Sequence, residues 1–191
     1  MNETGTEANI LEPEEVAEGE SEPAEPSFRV VVANEQSSLA IDEARLVTAV
    51  EAVLADSSYP TASISIAVVD DPTIHALNVE FLNHDYSTDV LSFVLEDSRG
   101  CLEGELIVST DTAIREAAEA GWSSQDELLL YAVHGALHLV GYCDKQSNTQ
   151  AEMLSAELKY LRRLGIALPR DASRWEHAAE DVAGQSEELL P

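Results

Sequence analysis

Positive charge is scarce in this chain: ten Lys and Arg stand against 37 Asp and Glu, a formal charge of −27 over 191 residues. Such an acidic molecule repels phosphate backbones, which argues against broad electrostatic binding to duplex DNA. The obvious source of a local basic patch is Arg162, Arg163, Arg170 and Arg174. Cysteine is rarer still. Cys101 and Cys143 cannot build a disulfide framework, which points to a reducing, cytoplasmic compartment. Long apolar runs are also missing. The longest, from Leu128 to Val133, is far short of the roughly 20 residues that span a bilayer, and the acidic N-terminus carries no apolar signal segment. No membrane partner is expected.

Much of the acid lies at the two ends. Residues 1–26 hold nine glutamates, three prolines and no basic residue, and residues 176–191 add five acids with no Lys or Arg. Removing those fourteen negative charges leaves about −13 on residues 27–175. The N-terminal composition offers too little apolar surface to offset chain entropy, so 1–26 reads as a disordered acidic tail. Residues 27–170 read as one domain and 171–191 as an acidic C-terminal tail.

Between the tails, hydrophobic periodicity separates strands from helices. The stretches 28–33, 62–69, 90–95 and 104–109 read as strands, joined in the last pair by a polar hairpin connection over 96–100. Helices are expected over 41–55, 73–82, 111–120, about 124–140 and about 149–164. Asp70 before Pro72, Ser109 or Thr110, and Ser123 with Asp126 supply helix starts; Gly121 and Gly165 supply stops. The fold class is α+β, a small mixed four-stranded sheet packed with about five helices. The helix over 124–140 is apolar nearly all round and must be buried.

That buried helix carries the chemistry. His134 and His138 are four apart and leave one face of it, the spacing at which two imidazoles grip one ion. Gly141 stands where a left-handed turn ends the helix, so the returning chain can bring a carboxylate, Asp144, to the same ion. Two histidines and one carboxylate would hold a divalent metal, zinc foremost, and leave one coordination place open for chemistry. Cys143 is the rival third ligand. The bland alternative is a pair of core histidines bonded to backbone or carboxylates. A zinc protease would place glutamate directly after the first histidine as its base, and Gly135 stands there instead.

The run His134-Gly135-Ala136-Leu137-His138-Leu139-Val140-Gly141-Tyr142 resembles the signature helix of the YbeY family, metal-dependent endoribonucleases of ribosomal RNA maturation. Leu77-Asn78, then Ser87-Thr88-Asp89-Val90-Leu91-Ser92-Phe93, are similar to a second family block, and Gly104-Glu105-Leu106-Ile107 is similar to its Gly-Asp-Ile strand. The resemblance spans about 28–165. It implies a small mixed sheet with helices, cleavage of single-stranded RNA, work on the small ribosomal subunit and its quality control, and metal ligation by His134 and His138. Two departures stand out. The family continues Gly-Tyr-Asp-His, and its third histidine is replaced here by Asp144. An arginine expected shortly after the Leu-Asn pair is replaced by Leu82, which cannot stabilise phosphate charge. His84 or Arg99 could substitute for it, and His84 is the candidate catalytic residue beyond the ligands. Thr88 and Asp89 are candidate substrate contacts, with loop capping as the alternative. Ser92 reads as packing or cleft lining, and His75 and His177 as solvated. Leu82 and the acidic core keep open a second reading, an assembly factor that binds without cutting; a metallopeptidase is the third.

Overall fold

The computed structural model describes residues 26–98 and 100–168. The predicted tails 1–26 and 171–191, together with Arg99, Arg170, Arg174 and His177, fall outside the described residues except for Pro26.

The described residues form four strands and five helices, in the order β1 (Ser27–Asn34), α1 (Glu43–Ala55), β2 (Thr61–Val69), α2 (Asp71–Leu82), β3 (Val90–Ser98), β4 (Cys101–Ser109), α3 (Thr110–Ala120), α4 (Ser124–Leu139) and α5 (Ser147–Arg163). The sheet order is β1-β2-β4-β3. β1 and β4 run parallel to β2, and β3 returns antiparallel to β4 with Leu91 opposite Ile107. This is the expected mixed α+β sheet. The largest differences from the sequence reading lie at the hairpin, where β4 begins at Cys101 rather than Gly104 and β3 runs on to Ser98. Glu96, Asp97 and Ser98 belong to β3, whose register with β4 shifts between Val94 and Glu96. Polar residues pair there because β3 is an edge strand, where charge and a bulge protect open backbone groups from further pairing.

Alternation along the strands divides the interior in two. Ile64, Ile66 and Val68 of β2 and Leu102, Leu106 and Val108 of β4 face the main core, built with α1, α4 and α5. Val69, Leu91 and Ile107 point to the other face, where α2 lays Ile74 over them. The apolar residues of α2 are only partly covered. Ile74 is buried, but Phe81 is 59% and Leu82 44% exposed.

Helix α4 is the pillar of the main core, with Leu128, Leu129, Leu130, Val133, Ala136 and Leu137 all buried. Its start is fixed by the Ser123 side chain, which accepts from the Asp126 backbone N–H at 3.0 Å. Its C-terminal half lies directly on β3 and β4 because a glycine faces them. A Cβ on Gly135 would sit 2.8 Å from Leu106 Cδ2, 2.9 Å from Val90 Cγ2 and 3.0 Å from Ser92 Oγ. Ser92 therefore lines this contact, as expected of a packing residue. The same geometry leaves no room at 135 for a protease glutamate.

Candidate metal centre

Helix α4 ends in a tight hydrogen-bonded turn. Gly141 has φ +99°, donates its N–H to His138 O at 3.0 Å, and Tyr142 donates to Leu137 O at 3.0 Å. That pairing satisfies the last carbonyls of the helix and reverses the chain, with glycine at the left-handed position. The reversal has two consequences. Tyr142 O comes within 3.1 Å of His138 Nδ1. Asp144 Oδ2 comes within 3.8 Å of the Nε2 atoms of both His134 and His138.

The two Nε2 atoms are 3.0 Å apart, with the rings nearly perpendicular. Among the described residues, His134, His138 and Asp144 form the group whose ligand atoms lie within 4.8 Å of one another. Exposed Cys143 is not in it. The donor set passes a simple test of fit. Tetrahedral zinc with bonds of about 2.0–2.1 Å keeps its ligand atoms roughly 3.3 Å apart, and the observed 3.0 and 3.8 Å bracket that spacing.

Each ring is oriented from behind. His134 Nδ1 meets Glu157 Oε1 of α5 at 2.8 Å, and Glu157 is 0% exposed. His138 Nδ1 meets the Tyr142 carbonyl, which can only accept, so that ring carries its proton on Nδ1 and offers the Nε2 lone pair to the site. Burial opposes the charged form of His134, but the Glu157 hydrogen bond and the charges of Glu157, Asp89 and Asp144 outweigh it and raise its pKa.

Beside the centre lies a polar cleft of about 310 Å³, lined by Ser87, Thr88, Asp89, Thr112, Arg115, Glu116, Glu127 and Tyr131. Thr88 donates to its neighbour Asp89 at 2.8 Å. Arg115 of α3 is anchored on Asp71 at 3.2 Å and Thr112 at 3.0 Å. His84 does not join this group. It is exposed and stacks on Tyr86, ring centroids 5.4 Å apart, with Tyr86 OH 3.3 Å from its Nδ1.

With this geometry in view, comparison with known proteins is decisive. A family profile described as Endoribonuclease YbeY matches residues 31–165. The chain belongs to the YbeY family. An endoribonuclease YbeY from Rhodopirellula baltica is 47% identical over 109 residues, covering 56% of this chain and 56% of that relative's length. Others from Chloroherpeton thalassium and Pelotomaculum thermopropionicum are 38% and 36% identical, covering 65% and 72% of this chain and 87% and 97% of their own. A solution structure from Thermotoga maritima, TM1509, superposes with a TM-score of 0.50 at 23% identity, covering 86% of this chain and 97% of its own; it supports the fold alone.

In this YbeY member the structure brings together three of the residues singled out from the sequence, His134, His138 and Asp144. It places Thr88 and Asp89 in the adjoining cleft. The Asp89 backbone carbonyl accepts from Ser109 N at 2.9 Å, a backbone bond beside the pairing of β3 with β4. Leu82 contributes no cation, and the guanidinium that lines the cleft is Arg115. Three residues escaped sequence reasoning: Arg115, Glu157 and Tyr131. Glu157 stands on the buried stripe of α5 between Met153 and Leu161, and a carboxylate on an apolar stripe was the available signal. Tyr131 precedes His134 by three residues and so shares its helix face.

Proposed function

We propose that this protein is a metal-dependent endoribonuclease that cuts single-stranded RNA, acting in ribosomal RNA maturation and quality control with the small ribosomal subunit, in the cytoplasm. The observation that carries the reading is the convergence of His134 Nε2, His138 Nε2 and Asp144 Oδ2, each ring held from its far nitrogen. Family membership supplies the RNA substrate, since the relatives are named endoribonucleases. His134, His138 and Asp144 would hold one divalent ion, zinc first, with a coordination place left for chemistry. When bound, that ion supplies Lewis-acid stabilisation of the charge that develops on the phosphoryl group.

The chain's own residues set the conditions. Glu157 and the Tyr142 carbonyl hold the imidazoles in orientation, so ligation costs little reorganisation. Asp144 contributes negative charge where the family pattern has a neutral histidine, which favours harder metals more than three imidazoles would. Thr88 and Asp89 form the substrate-facing loop, and Arg115 stands in the cleft as the cation available to RNA in place of Leu82. Purified protein supplied with zinc should cleave single-stranded RNA, and His138→Ala should not. Undiminished cleavage by that variant refutes the metal-site mechanism. The exposed, uncharged Leu82 favours one second reading, a ribosome-assembly factor that binds without cutting. Full complementation by a His134→Ala/His138→Ala double variant would support it; failure supports the chemistry.

A further inference from the structure

The loop that leads into the cleft carries two aromatic rings that neither the metal centre nor the core uses. His84 and Tyr86 are both exposed, Tyr86 by 56%, and their rings stack at an interplanar angle of 13°. The Tyr86 hydroxyl stands 3.3 Å from His84 Nδ1, which ties the two side chains together at their edges. An exposed tyrosine alone means little, since single apolar side chains are common on protein surfaces. This pair differs because the backbone beneath it is fixed. Buried Asn78 of α2 holds both residues: its backbone carbonyl accepts from His84 N at 3.2 Å, and its side-chain Nδ2 donates to the Tyr86 carbonyl at 2.8 Å. Asn83 ends the helix in the left-handed conformation, φ +57°, and Ser87 Oγ donates to the Asp71 carbonyl at 3.3 Å. A ligand laid on the rings therefore meets a prearranged surface and has little to order on binding.

Position and charge balance name the ligand. Ser87, Thr88 and Asp89, directly after Tyr86, line the cleft. The chain from Tyr86 to Asp89 spans at most about 11 Å, and Asp89 is close enough for its charge to act on His134. RNA engaged at the metal centre thus has the rings within a few nucleotides' reach. A domain carrying about −13 cannot draw most of its affinity from phosphate contacts. Stacking on aromatic faces needs no positive charge, and every base offers a face. In a duplex those faces are already stacked on neighbouring base pairs and closed to the protein.

We infer that the His84–Tyr86 pair is a stacking platform for an unpaired base of the RNA, a few nucleotides from the bond cut, and that it gives the protein a preference for single strands over duplex. Asn78 is its positioning residue, acting through the backbone of both ring-bearing residues. The inference rests on the RNA reading proposed above.

The test uses full-length protein supplied with zinc and single-stranded RNA decamers carrying the fluorescent adenine analogue 2-aminopurine at each position in turn. Affinity is read before turnover by anisotropy of an end label, stacking by quenching of the analogue, and cleavage separately. Quenching should be strongest at one position or two adjacent ones. Tyr86→Leu keeps the apolar bulk without the ring; it should weaken decamer binding about fivefold or more, the effect of one lost base–aromatic stack, and abolish the quenching. Its affinity for a duplex of the same sequence should not change. Tyr86→Phe keeps the ring and should match the parent in both readouts, and His84→Ala should weaken decamer binding about twofold or more. The loss in Tyr86→Leu should be equal at about 50 and 200 mM salt, because no phosphate contact is removed. Decamer affinity unchanged in both Tyr86→Leu and His84→Ala overturns the platform, leaves the nuclease reading standing if the parent cleaves, and turns the pair into a contact for a protein partner. A loss in Tyr86→Phe as large as in Tyr86→Leu also overturns it, since the hydroxyl and not the ring would then bind. A parent with no affinity for RNA overturns the platform and the RNA reading together. Quenching that disappears in Tyr86→Leu, in a protein that never cleaves, upholds the platform and counts against the endonuclease reading instead.

Discussion

Glu157→Gln separates the metal centre from the fold. The carboxylate is 0% exposed and meets His134 Nδ1 at 2.8 Å, while the ring's other nitrogen faces Asp144 and His138. Glutamine keeps the volume and an accepting oxygen but removes the charge. Hydrogen bonds to charged groups contribute about 1.5–3 kcal/mol net, against about 0.5–1.5 for neutral ones. The ring thus loses on the order of 1–2 kcal/mol of orienting interaction and part of its basicity. Loss of such an outer partner typically weakens metal affinity 10- to 100-fold, or about 1.4–2.7 kcal/mol. At alkaline pH, where His134 is neutral and Glu157 has no buried ion pair to lose, stability of the metal-free protein should change far less, because a buried charge that costs desolvation is replaced by a neutral isostere. Zinc affinity is measured by competition with a chromophoric chelator, and metal-free stability by urea denaturation. Unchanged affinity in the variant would refute the orienting role. A loss of affinity matched by an equal loss of metal-free stability would show that Glu157 acts only through the fold.

Other substitutions probe neighbouring links. Gly135→Ala should destabilise by up to roughly 2 kcal/mol, because overpacking costs about 1–3 kcal/mol and alanine's helix propensity returns about 1; a denaturation midpoint above the parent's would contradict the close approach of α4 to Leu106, Val90 and Ser92. Asp56 is held below its ordinary pKa of 3.8 by Lys159, and burial, which works the other way, is outweighed once Arg163 and Tyr160 add their bonds. A depressed carboxylate contributes stability that is present above pH 3.8 and lost as pH falls through the lower folded-state value. The stability gap between parent and Asp56→Asn should therefore be constant from pH 7 to about 5 and close below about pH 4; a gap that widens in acid would reverse the sign. Zinc at a hundred times its dissociation constant should raise parent stability by about 2.7 kcal/mol. That increment should vanish in His134→Ala/His138→Ala, and its persistence would place the ion elsewhere.

The sequence was most legible where local pattern and packing agree. Helix α4 announces itself through Ser123, its all-round apolar surface and Gly141, and each signal acts within a few residues of where it is read. Asp144 was legible for the same reason, as a residue just past a turn that must reverse. Edge strand β3 was read short because Glu96, Asp97 and Ser98 are polar, and polarity on an edge says nothing of whether the backbone is paired. Glu157 and Arg115 were out of reach of local reasoning. Each meets its partner only after distant segments dock, Glu157 with His134 across 23 residues and Arg115 with Asp71 across 44.

The most direct measurement is an anomalous difference map, collected at the zinc absorption edge from crystals grown with zinc. The expected peak lies within bonding distance of His134 Nε2, His138 Nε2 and a carboxylate oxygen of Asp144. A peak bounded by Cys143 in place of Asp144, or no peak between the two rings at full zinc loading, would contradict the centre on which the proposed chemistry rests.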